Sequence, residues 1–211
     1  MPDGAIISVS KETRARYYRI MITVTPQSAL LVVDVQKDFL PGGALAVPGG
    51  DEIIPVINHL ARLPFGVVIA TQDWHPADHM SFVTQGGPWP VHCVAGTDGA
   101  TLAALLDDEP VGAIFRKGRS RDVDSYSAFF DNEGKRPSGL VSLLKELGIT
   151  RVFVTGLALD VCVSATADDA VKAGFEAVVI ADACRGTGPA EPALADLRRA
   201  GVTLTTSDRL A

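Results

Sequence analysis

The sequence alternates apolar runs with segments whose apolar residues recur at helical spacing, and this alternation constrains the fold more than any other feature. Strands that alternate with helices form β-α units, which assemble into a parallel sheet. The first run, ALLVVD, is apolar almost throughout, as expected for a strand buried on both sides. The runs predict strands at 29–34, 66–73, 111–118, 151–156, 176–182 and 202–206. The chain is therefore predicted to have an α/β fold.

Helices are predicted between these strands from capping residues and apolar spacing. Asp51 is expected to cap a helix whose Ile57 and Leu60 lie on one apolar face. A short helix is expected near 101–107, inside the connection between the second and third strands. The remaining helices are predicted at 140–147, 160–173 and around 190–200.

The composition excludes several classes of function. The chain has 211 residues and a formal net charge of −6, so it lacks the basic surface that general nucleic-acid binding requires. No apolar run approaches the ~18 residues of a membrane span, so neither a membrane nor a nucleic acid is expected as a partner. The 3 cysteines are few and odd in number, which favours a reducing compartment. We expect a cytoplasmic protein without disulfides.

The N-terminal segment differs from the rest of the chain. It contains the basic stretch KETRARYYRI, but no apolar segment of signal-peptide length follows. We predict a flexible extension over residues 1–25 and a single domain over 26–211. Met21 is a candidate for the true start, because the first clear strand begins soon after it.

The connection between the second and third predicted strands is unusually long for a compact domain. It extends from 74 to 110 and is rich in aromatic residues and histidines, which is not the composition of a disordered segment. We therefore interpret it as a loop that builds a site. Its distinctive side chains are Trp74, His75, His79, Trp89, His92 and Cys93.

Reactive side chains follow the predicted strands at equivalent positions. Asp34 ends the first strand, Asp73 the second and Lys117 the third, and the segment 156–162 follows the fourth. Ligands of an open parallel sheet bind beyond the carboxyl ends of its strands. The sequence therefore predicts that carboxylates, an ammonium group and a thiol meet at one edge of the sheet.

Cys162 is the candidate nucleophile at this edge. With Asp160 as the N-cap, its thiol lies in the first helical turn, where free N–H groups and the helix dipole stabilise a thiolate. Asp34 is a candidate general base with Lys117 as its ion-pair partner; the alternative is a turn-forming aspartate without a chemical role. The remaining cysteines are interpreted as apolar core residues, which is the usual role: Cys93 and Cys184.

Asp73 and His75 form an Asp-x-His pair at a strand end, where side chains two residues apart point to the same side. Both can bind one metal ion, and His92 can return from the long loop as a further ligand. Carboxylate and imidazole ligands together suit zinc, manganese or iron. The pair is a weak motif by itself, because most histidines are merely hydrogen-bonded polar residues. We assign that role to His59, on the outer side of its helix.

Several segments between residues 28 and 206 carry a resemblance to a known family: VDVQKDFLPGGALAVPGG, TQDWHPADHMSF, GGPWPVHCVAGTDGA, FRKG, DSYSAFFD and VTGLALDVCVSATADDA. In this order they resemble the nicotinamidases of the isochorismatase-like hydrolase superfamily. The resemblance implies a three-layer α/β/α fold with a six-stranded parallel sheet of order 3-2-1-4-5-6. That order would reverse between the strands that bear Asp34 and Cys162.

The resemblance also implies a role for each matching residue. The implied catalytic triad is Asp34, Lys117 and Cys162. The implied metal ligands are Asp73, His75 and His92, and His79 is left open because it is a ligand in only some relatives. The implied oxyanion hole consists of the backbone N–H groups of Ala158 and Cys162. The implied substrate-binding residues are Phe39, Trp89, Tyr126 and Leu157, and the Leu157–Ala158 bond falls where the family has a cis peptide.

The implied reaction is the hydrolysis of nicotinamide to nicotinate and ammonia through a thioester on Cys162, as a step in NAD salvage. One divalent metal ion, either Zn, Mn or Fe, would bind the ring nitrogen, and pyrazinamide is a further expected substrate. The main alternative is another amidase or a ureido-hydrolase with the same triad. The intact triad disfavours a silent binding module, and Cys162 disfavours isochorismatase activity, which uses no cysteine nucleophile. A homo-oligomer is left open.

Overall fold

The structure, a computed structural model, describes residues 21–211. Its strands are β1 (Ser28–Val33), β2 (Val67–Asp73), β3 (Val111–Lys117), β4 (Arg151–Leu157), β5 (Glu176–Arg185) and β6 (Thr203–Thr205). Within the described residues they form one 6-stranded sheet of order β3-β2-β1-β4-β5-β6, in which all neighbours are parallel. The sheet and its strand order are those that the sequence and the resemblance predict.

Helices cover both faces of this sheet. They are α1 (Ile54–Leu60), α2 (Leu140–Glu146), α3 (Ser164–Lys172) and α4 (Ala190–Arg199). Leu31 of β1 belongs to a buried apolar cluster with Leu140 of α2, whereas Leu30 belongs to a second cluster with Ile57 of α1. Because successive strand side chains point to opposite faces, β1 is buried on both, and the α/β/α layering is confirmed. No helix within residues 21–211 is long and apolar enough to cross a membrane.

The prediction that Asp51 caps α1 is wrong. Asp51 lies inside a short 3₁₀ turn, Gly50–Ile53, and no side chain caps that turn or α1. The α-helix begins just before Pro55, which has no backbone N–H and is tolerated only in the first turn of a helix. The proline therefore sets the start of the helix later than the acidic residue suggests.

The short helix expected near 101–107 is also wrong. Leu102 instead forms an antiparallel bridge with Gln36, and the Ala103 N–H donates to the Val35 carbonyl at 2.8 Å. The nearest helical turn is a 3₁₀ turn at Asp98–Ala100. This part of the long connection is therefore held by the segment that follows β1, and tertiary pairing replaces a local helix.

Asp160 is not the N-cap of the nucleophile-bearing helix. A wide π-type turn, Leu159–Val163, precedes α3, and Ala158 occupies its cap position in an extended conformation. The Asp160 carboxylate instead accepts hydrogen bonds from the backbone N–H and the hydroxyl of Thr187, at 3.0 and 2.5 Å. Cys162 therefore lies within the wide turn and not in the first turn of an ordinary α-helix.

Part of the predicted N-terminal extension packs against the domain. Ile22 forms a parallel bridge with Leu210, and the Val24 N–H donates to the Ala211 carbonyl at 2.7 Å. Val24 is buried, whereas Met21 is exposed. Residues 22–24 therefore contact the domain, and the first 20 residues of the predicted extension lie outside the described residues.

The carboxyl ends of β1 and β4 lie side by side, at the point where the strand order reverses. Their register pairs Val33 with Gly156. Gly156 has a φ of 111°, and a Cβ at this position would lie 2.1 Å from the Val33 carbonyl oxygen. Glycine alone permits this conformation and this close approach. It brings the residues that follow the strands, Asp34 and Cys162 among them, to one edge.

Candidate active site

Lys117, the last residue of β3, is the centre of a buried polar cluster. Its Nζ lies 2.8 Å from Asp34 Oδ2, 2.5 Å from Asp73 Oδ1 and 3.5 Å from Cys162 Sγ. It also donates to the Ser125 carbonyl at 3.0 Å. The strand ends thus bring together the predicted acid, ammonium and thiol. The sequence predicts an ion pair of Lys117 with Asp34 alone, and the structure adds a direct ion pair with Asp73.

The ammonium group of Lys117 stays charged in spite of its burial. Burial alone would lower the pKa of Lys117, but the carboxylates of Asp34 and Asp73 outweigh it and hold that pKa well above its usual value. Lys117 is therefore a fixed positive charge beside the thiol. It can stabilise negative charge there, but it cannot serve as a base.

Asp34 is held in a conformation that few residues adopt. It is fully buried and has a φ of 49°, which is uncommon for a residue other than glycine. The hydroxyl of Thr71 accepts the Asp34 N–H at 3.1 Å and donates to Asp34 Oδ1 at 2.6 Å. Burial raises the pKa of Asp34, although Lys117 opposes the shift. A carboxylate with a raised pKa is a stronger base than an exposed one.

The thiol of Cys162 is buried beside an ammonium group and two carboxylates. Burial raises the pKa of Cys162 well above its usual value, because the attraction of Lys117 does not offset the loss of water and the nearby carboxylates. Ligand atoms of Asp34, Asp73 and Cys162 all lie within 4.8 Å of one another. The raised pKa opposes the stabilisation of a thiolate that is expected at a helix N-terminus. This cysteine needs a base, and Asp34 is within reach.

The predicted metal ligands also converge. His75 Nε2 lies 3.5 Å and His92 Nε2 3.9 Å from Asp73 Oδ2, and all three side chains are buried. Burial favours a neutral Asp73, but Lys117 and His75 outweigh it and lower the Asp73 pKa far below its usual value. Burial lowers the pKa of His92, which keeps its imidazole neutral. An ionised carboxylate and a neutral imidazole are the forms that bind a metal ion.

The backbone orients both imidazoles. His75 Nδ1 lies 2.9 Å from the Gly118 carbonyl oxygen, and His92 Nδ1 lies 2.7 Å from that of Pro90. A carbonyl oxygen only accepts, so each Nδ1 carries a proton, and in the neutral imidazole the lone pair of Nε2 is available to a metal ion. A Cβ on Gly118 would come 2.5 Å from His75 Nδ1, so the glycine is needed for this contact. The donor set therefore fits a divalent metal ion.

His79 does not join this set directly. Its ring stacks on that of His75 with centroids 4.1 Å apart, and its Nδ1 lies 2.7 Å from Ser81 Oγ. Its Nε2 faces Asp124 Oδ1 at 4.0 Å. Donor atoms of His75, His79 and Asp124 lie within 4.8 Å of one another and form an alternative ligand group. The geometry therefore leaves the role of His79 open.

An apolar pocket opens beside the thiol. Trp89 Nε1 donates to the Tyr126 hydroxyl at 3.2 Å across one wall. The lining residues are Phe39, Leu45, Val47, Asp73, Trp89, His92, Asp124, Tyr126, Ala158, Val161, Cys162 and Thr187. The structure thus places Phe39, Trp89 and Tyr126 at the pocket, and their role in binding substrate stays a prediction. It does not place Leu157 there, because this side chain is fully buried in the apolar core.

The Leu157–Ala158 peptide bond is cis. Ala158 and Cys162, whose N–H groups are the predicted oxyanion donors, both line the pocket. Their role stays a prediction.

Gln36 is a site residue that the sequence analysis missed. It is fully buried, and its side chain accepts the Asp73 N–H at 2.8 Å and donates to the Asp73 and Ala100 carbonyls, each at 2.9 Å. It ties the end of β2 to the segment after β1. The signal was present in the sequence, because Gln36 lies two residues after Asp34, next to a strand that is otherwise apolar.

The comparison with protein families gives a match to the Isochorismatase domain over residues 28–209. Among curated proteins, a nicotinamidase of Acinetobacter baylyi is 47% identical over 173 residues, which are 74% of this chain and 80% of that protein.

Solved structures with high similarity include PnC1 from L. infantum in complex with nicotinate. It is 45% identical, with a TM-score of 0.89, and the match covers 91% of this chain and 99% of that one. A pyrazinamidase of Pyrococcus horikoshii in complex with zinc is 41% identical, with a TM-score of 0.77 and coverage of 86% and 99%. The similarity therefore extends over nearly the whole described domain.

Proposed function

The chain belongs to the isochorismatase family, and we propose that it is a nicotinamidase, an amidohydrolase that converts nicotinamide to nicotinate and ammonia. The observation that carries the proposal is one pocket that joins two sets of groups. Its lining includes Cys162, the thiol of the first set, and also Asp73 and His92 of the Asp-His-His donor set. The nicotinamidase relatives support the same substrate.

In the first step, Asp34 accepts the proton of the Cys162 thiol while the sulfur attacks the amide carbonyl carbon. The C–S bond forms, and the carbonyl oxygen becomes an oxyanion. Lys117, charged and 3.5 Å from Sγ, stabilises the negative charge that develops on the sulfur. The raised pKa of Asp34 fits this role, because the base must take a proton from a thiol whose own pKa is raised.

In the second step, the oxyanion collapses and the C–N bond breaks. Asp34, now protonated, donates its proton to the departing nitrogen, which leaves as ammonia. A thioester on Cys162 remains, and water, with Asp34 again as the base, cleaves it to nicotinate and the free thiol. The N–H groups of Ala158 and Cys162 are the proposed donors to the oxyanion in both halves of the reaction.

Asp73, His75 and His92 are the residues that would hold a divalent metal ion. When bound, the ion would supply a Lewis acid for the pyridine nitrogen of the substrate. The zinc complex of the Pyrococcus horikoshii relative supports such a site, and the donor set also suits manganese or iron. The aromatic side chains of Phe39, Trp89 and Tyr126 would then enclose the ring in an apolar slot.

We further propose that the reaction belongs to NAD salvage and takes place in the cytoplasm. The unpaired state of the buried cysteines, Cys93, Cys162 and Cys184, supports a reducing compartment. Pyrazinamide, like nicotinamide, carries an amide on a six-membered ring that contains nitrogen, so it is a proposed second substrate. A nicotinamidase/pyrazinamidase of Mycobacterium tuberculosis, 39% identical to this chain, supports this breadth.

The proposed activity is tested by ammonia release from nicotinamide, with and without prior treatment with a metal chelator. We expect turnover of the untreated protein, loss after chelation and recovery on addition of zinc. The protein could instead release ammonia from a ureido compound or another small amide but not from nicotinamide. The proposed substrate would then be wrong, whereas the proposed triad would still stand. Full activity after complete removal of the metal would show that the reaction does not need it.

A further inference from the structure

The segment that carries His92 has an unusual backbone conformation at the next residue. Cys93 is fully buried and has a φ of 45°, in the left-handed region that residues other than glycine and asparagine seldom adopt. Such a conformation persists only where surrounding contacts hold it. The contacts at Cys93 therefore determine where the neighbouring imidazole lies.

One of these contacts comes from the carboxylate of Asp38, in the short turn after β1. Asp38 Oδ2 accepts the Cys93 N–H at 2.7 Å, and Oδ1 lies 3.4 Å from the Ala44 N–H. The carboxylate lies directly against Gly99, where a Cβ would come 2.2 Å from Oδ2. Because Gly99 has no side chain, the Asp38 carboxylate can occupy the space beside it.

This hydrogen bond acts on the peptide group that joins His92 to Cys93. On the far side of the same residue, the Cys93 carbonyl accepts the His75 N–H at 3.0 Å. The backbone next to His92 is therefore fixed both to Asp38 and to the strand end that carries the other imidazole. Phe39, the residue after Asp38, also packs against the His92 ring, with centroids 5.6 Å apart.

We propose that Asp38 is a positioning residue for the metal site: its carboxylate holds the Cys93 peptide so that His92 Nε2 faces Asp73 and His75. The inference rests on the metal site of the proposed function. Asp38 does not line the pocket and touches neither the thiol nor the donor atoms. Its contribution is therefore to the affinity for the metal ion, and not to the reactivity of Cys162.

The test is a zinc dissociation constant for the full chain, measured by competition with a chromophoric chelator. Asp38→Ala should weaken zinc binding by about 10–100-fold, the range seen when an outer partner of a metal ligand is lost. Asp38→Asn, whose amide oxygen can still accept the Cys93 N–H, should recover part of this loss. The rate at which Cys162 is alkylated in the metal-free protein should stay at the wild-type value, which a general loss of structure would not leave unchanged.

Asp98→Ala is the matched control. Asp98 is exposed and pairs with Lys37 at 2.6 Å, so it links the same two segments by a solvated ion pair. Its removal should leave zinc affinity within about twofold, because exposed pairs contribute little. If Asp38→Ala does not fold, Gly99→Ala replaces it, since the added Cβ displaces the carboxylate without removing its charge. Gly99→Ala should then weaken zinc binding in the same way.

Wild-type zinc affinity in folded Asp38→Ala, or in Gly99→Ala where Asp38→Ala does not fold, would overturn the positioning role while the proposed metal site stands. Equal weakening by Asp98→Ala would also overturn it, since any link between the segments would then suffice. A wild-type chain that binds no zinc would overturn both the metal site and this inference, which is a different result from either of the others.

Discussion

The groups proposed to do the chemistry and those proposed to hold the ring are built differently. Asp34 and Lys117 lie at strand ends and Cys162 lies in the wide turn after β4, and Lys117 joins the other two through contacts of 2.8 and 3.5 Å. His92 instead comes from the long connection, and its Nε2 stays 3.9 Å from Asp73. The first set is held together by contacts among its own members. The imidazoles of the second set are held through their Nδ1 atoms, which leaves the opposite ring nitrogens available to a ligand. Groups in mutual contact are suited to proton transfer, whereas donor atoms without such contacts are suited to binding a ligand.

Asp73 belongs to both sets. Its Oδ1 lies 2.5 Å from Lys117 Nζ, and its Oδ2 faces the two imidazoles. Variants of Asp73 therefore cannot separate chemistry from ring binding. The residues that belong to one set alone can, and the expected effects below decrease from the first variant to the last.

Cys162→Ala should have the largest effect. It removes the nucleophile and little packing, so ammonia release should fall to background while the fold and the bound metal are retained. Elemental analysis and circular dichroism check the last two points. In the wild type, stoichiometric alkylation should map to Cys162 and be blocked by nicotinamide. Substantial turnover by the alanine variant would place the chemistry elsewhere.

Asp34→Asn should reduce kcat by about 10²–10⁴-fold, the usual contribution of a general base. The amide keeps the shape of the carboxylate but cannot take the thiol proton, so alkylation of Cys162 at neutral pH should also slow. Steady-state kinetics and an alkylation time course measure the two effects. Normal turnover with normal alkylation would make Asp34 a structural residue.

His92→Ala should act on the other set. We expect loss of bound metal and a fall in kcat/KM for nicotinamide of about 10²-fold, or roughly 2.7 kcal/mol of transition-state binding. Benzamide has the amide but no ring nitrogen, so it should be a poor substrate of the wild type and should be affected much less by the variant. Elemental analysis and the ratio of kcat/KM for the two amides measure this difference. A wild type that treats both amides alike would contradict a role for the metal in holding the ring.

Thr71→Val should have the smallest effect. It keeps the shape of a buried strand residue but removes the hydroxyl that orients Asp34, so kcat should fall about tenfold, in line with the ~1–1.5 kcal/mol of a lost hydrogen bond. Thr155→Val is its control, because the Thr155 hydroxyl is equally buried but donates to the Leu31 carbonyl at 3.1 Å. Both variants should lose similar stability in urea unfolding, and the kcat of Thr155→Val should stay unchanged. Equal loss of kcat would mean that the effect is general destabilisation.

The sheet and the strand-end groups could be predicted because they depend on local patterns. The apolar run of β1, which is buried on both faces, ends at Asp34. A charged residue can be buried only with a partner, so its position marks the end of the strand. The parallel order then fixes which strand ends are neighbours. The same reasoning failed at Asp51 and Asp160, where a proline and a wide turn changed the helix start.

For the part of the site that the long connection forms, the sequence predicts which residue types can bind a metal ion but not the contacts that hold them. The sequence indicates that His92 is able to bind a metal ion, but not that Asp38 holds the backbone beside it, because that contact joins residues 55 positions apart. The interaction of Gln36 with Asp73 has the same origin. The raised pKa of Cys162 depends on burial by the whole fold, so the sequence predicts a thiol in a reactive position but not the direction of its pKa shift.

The central claim, that Cys162 attacks the carbonyl carbon, is tested most directly with nicotinaldehyde labelled with ¹³C at the carbonyl. An aldehyde has no leaving group, so attack by sulfur stops at a tetrahedral adduct that accumulates. We predict that the ¹³C resonance of the bound aldehyde moves from the carbonyl range to that of a carbon with four single bonds, and that Cys162→Ala abolishes the shift. Competitive binding to the wild type with the resonance unchanged in the carbonyl range would contradict the account.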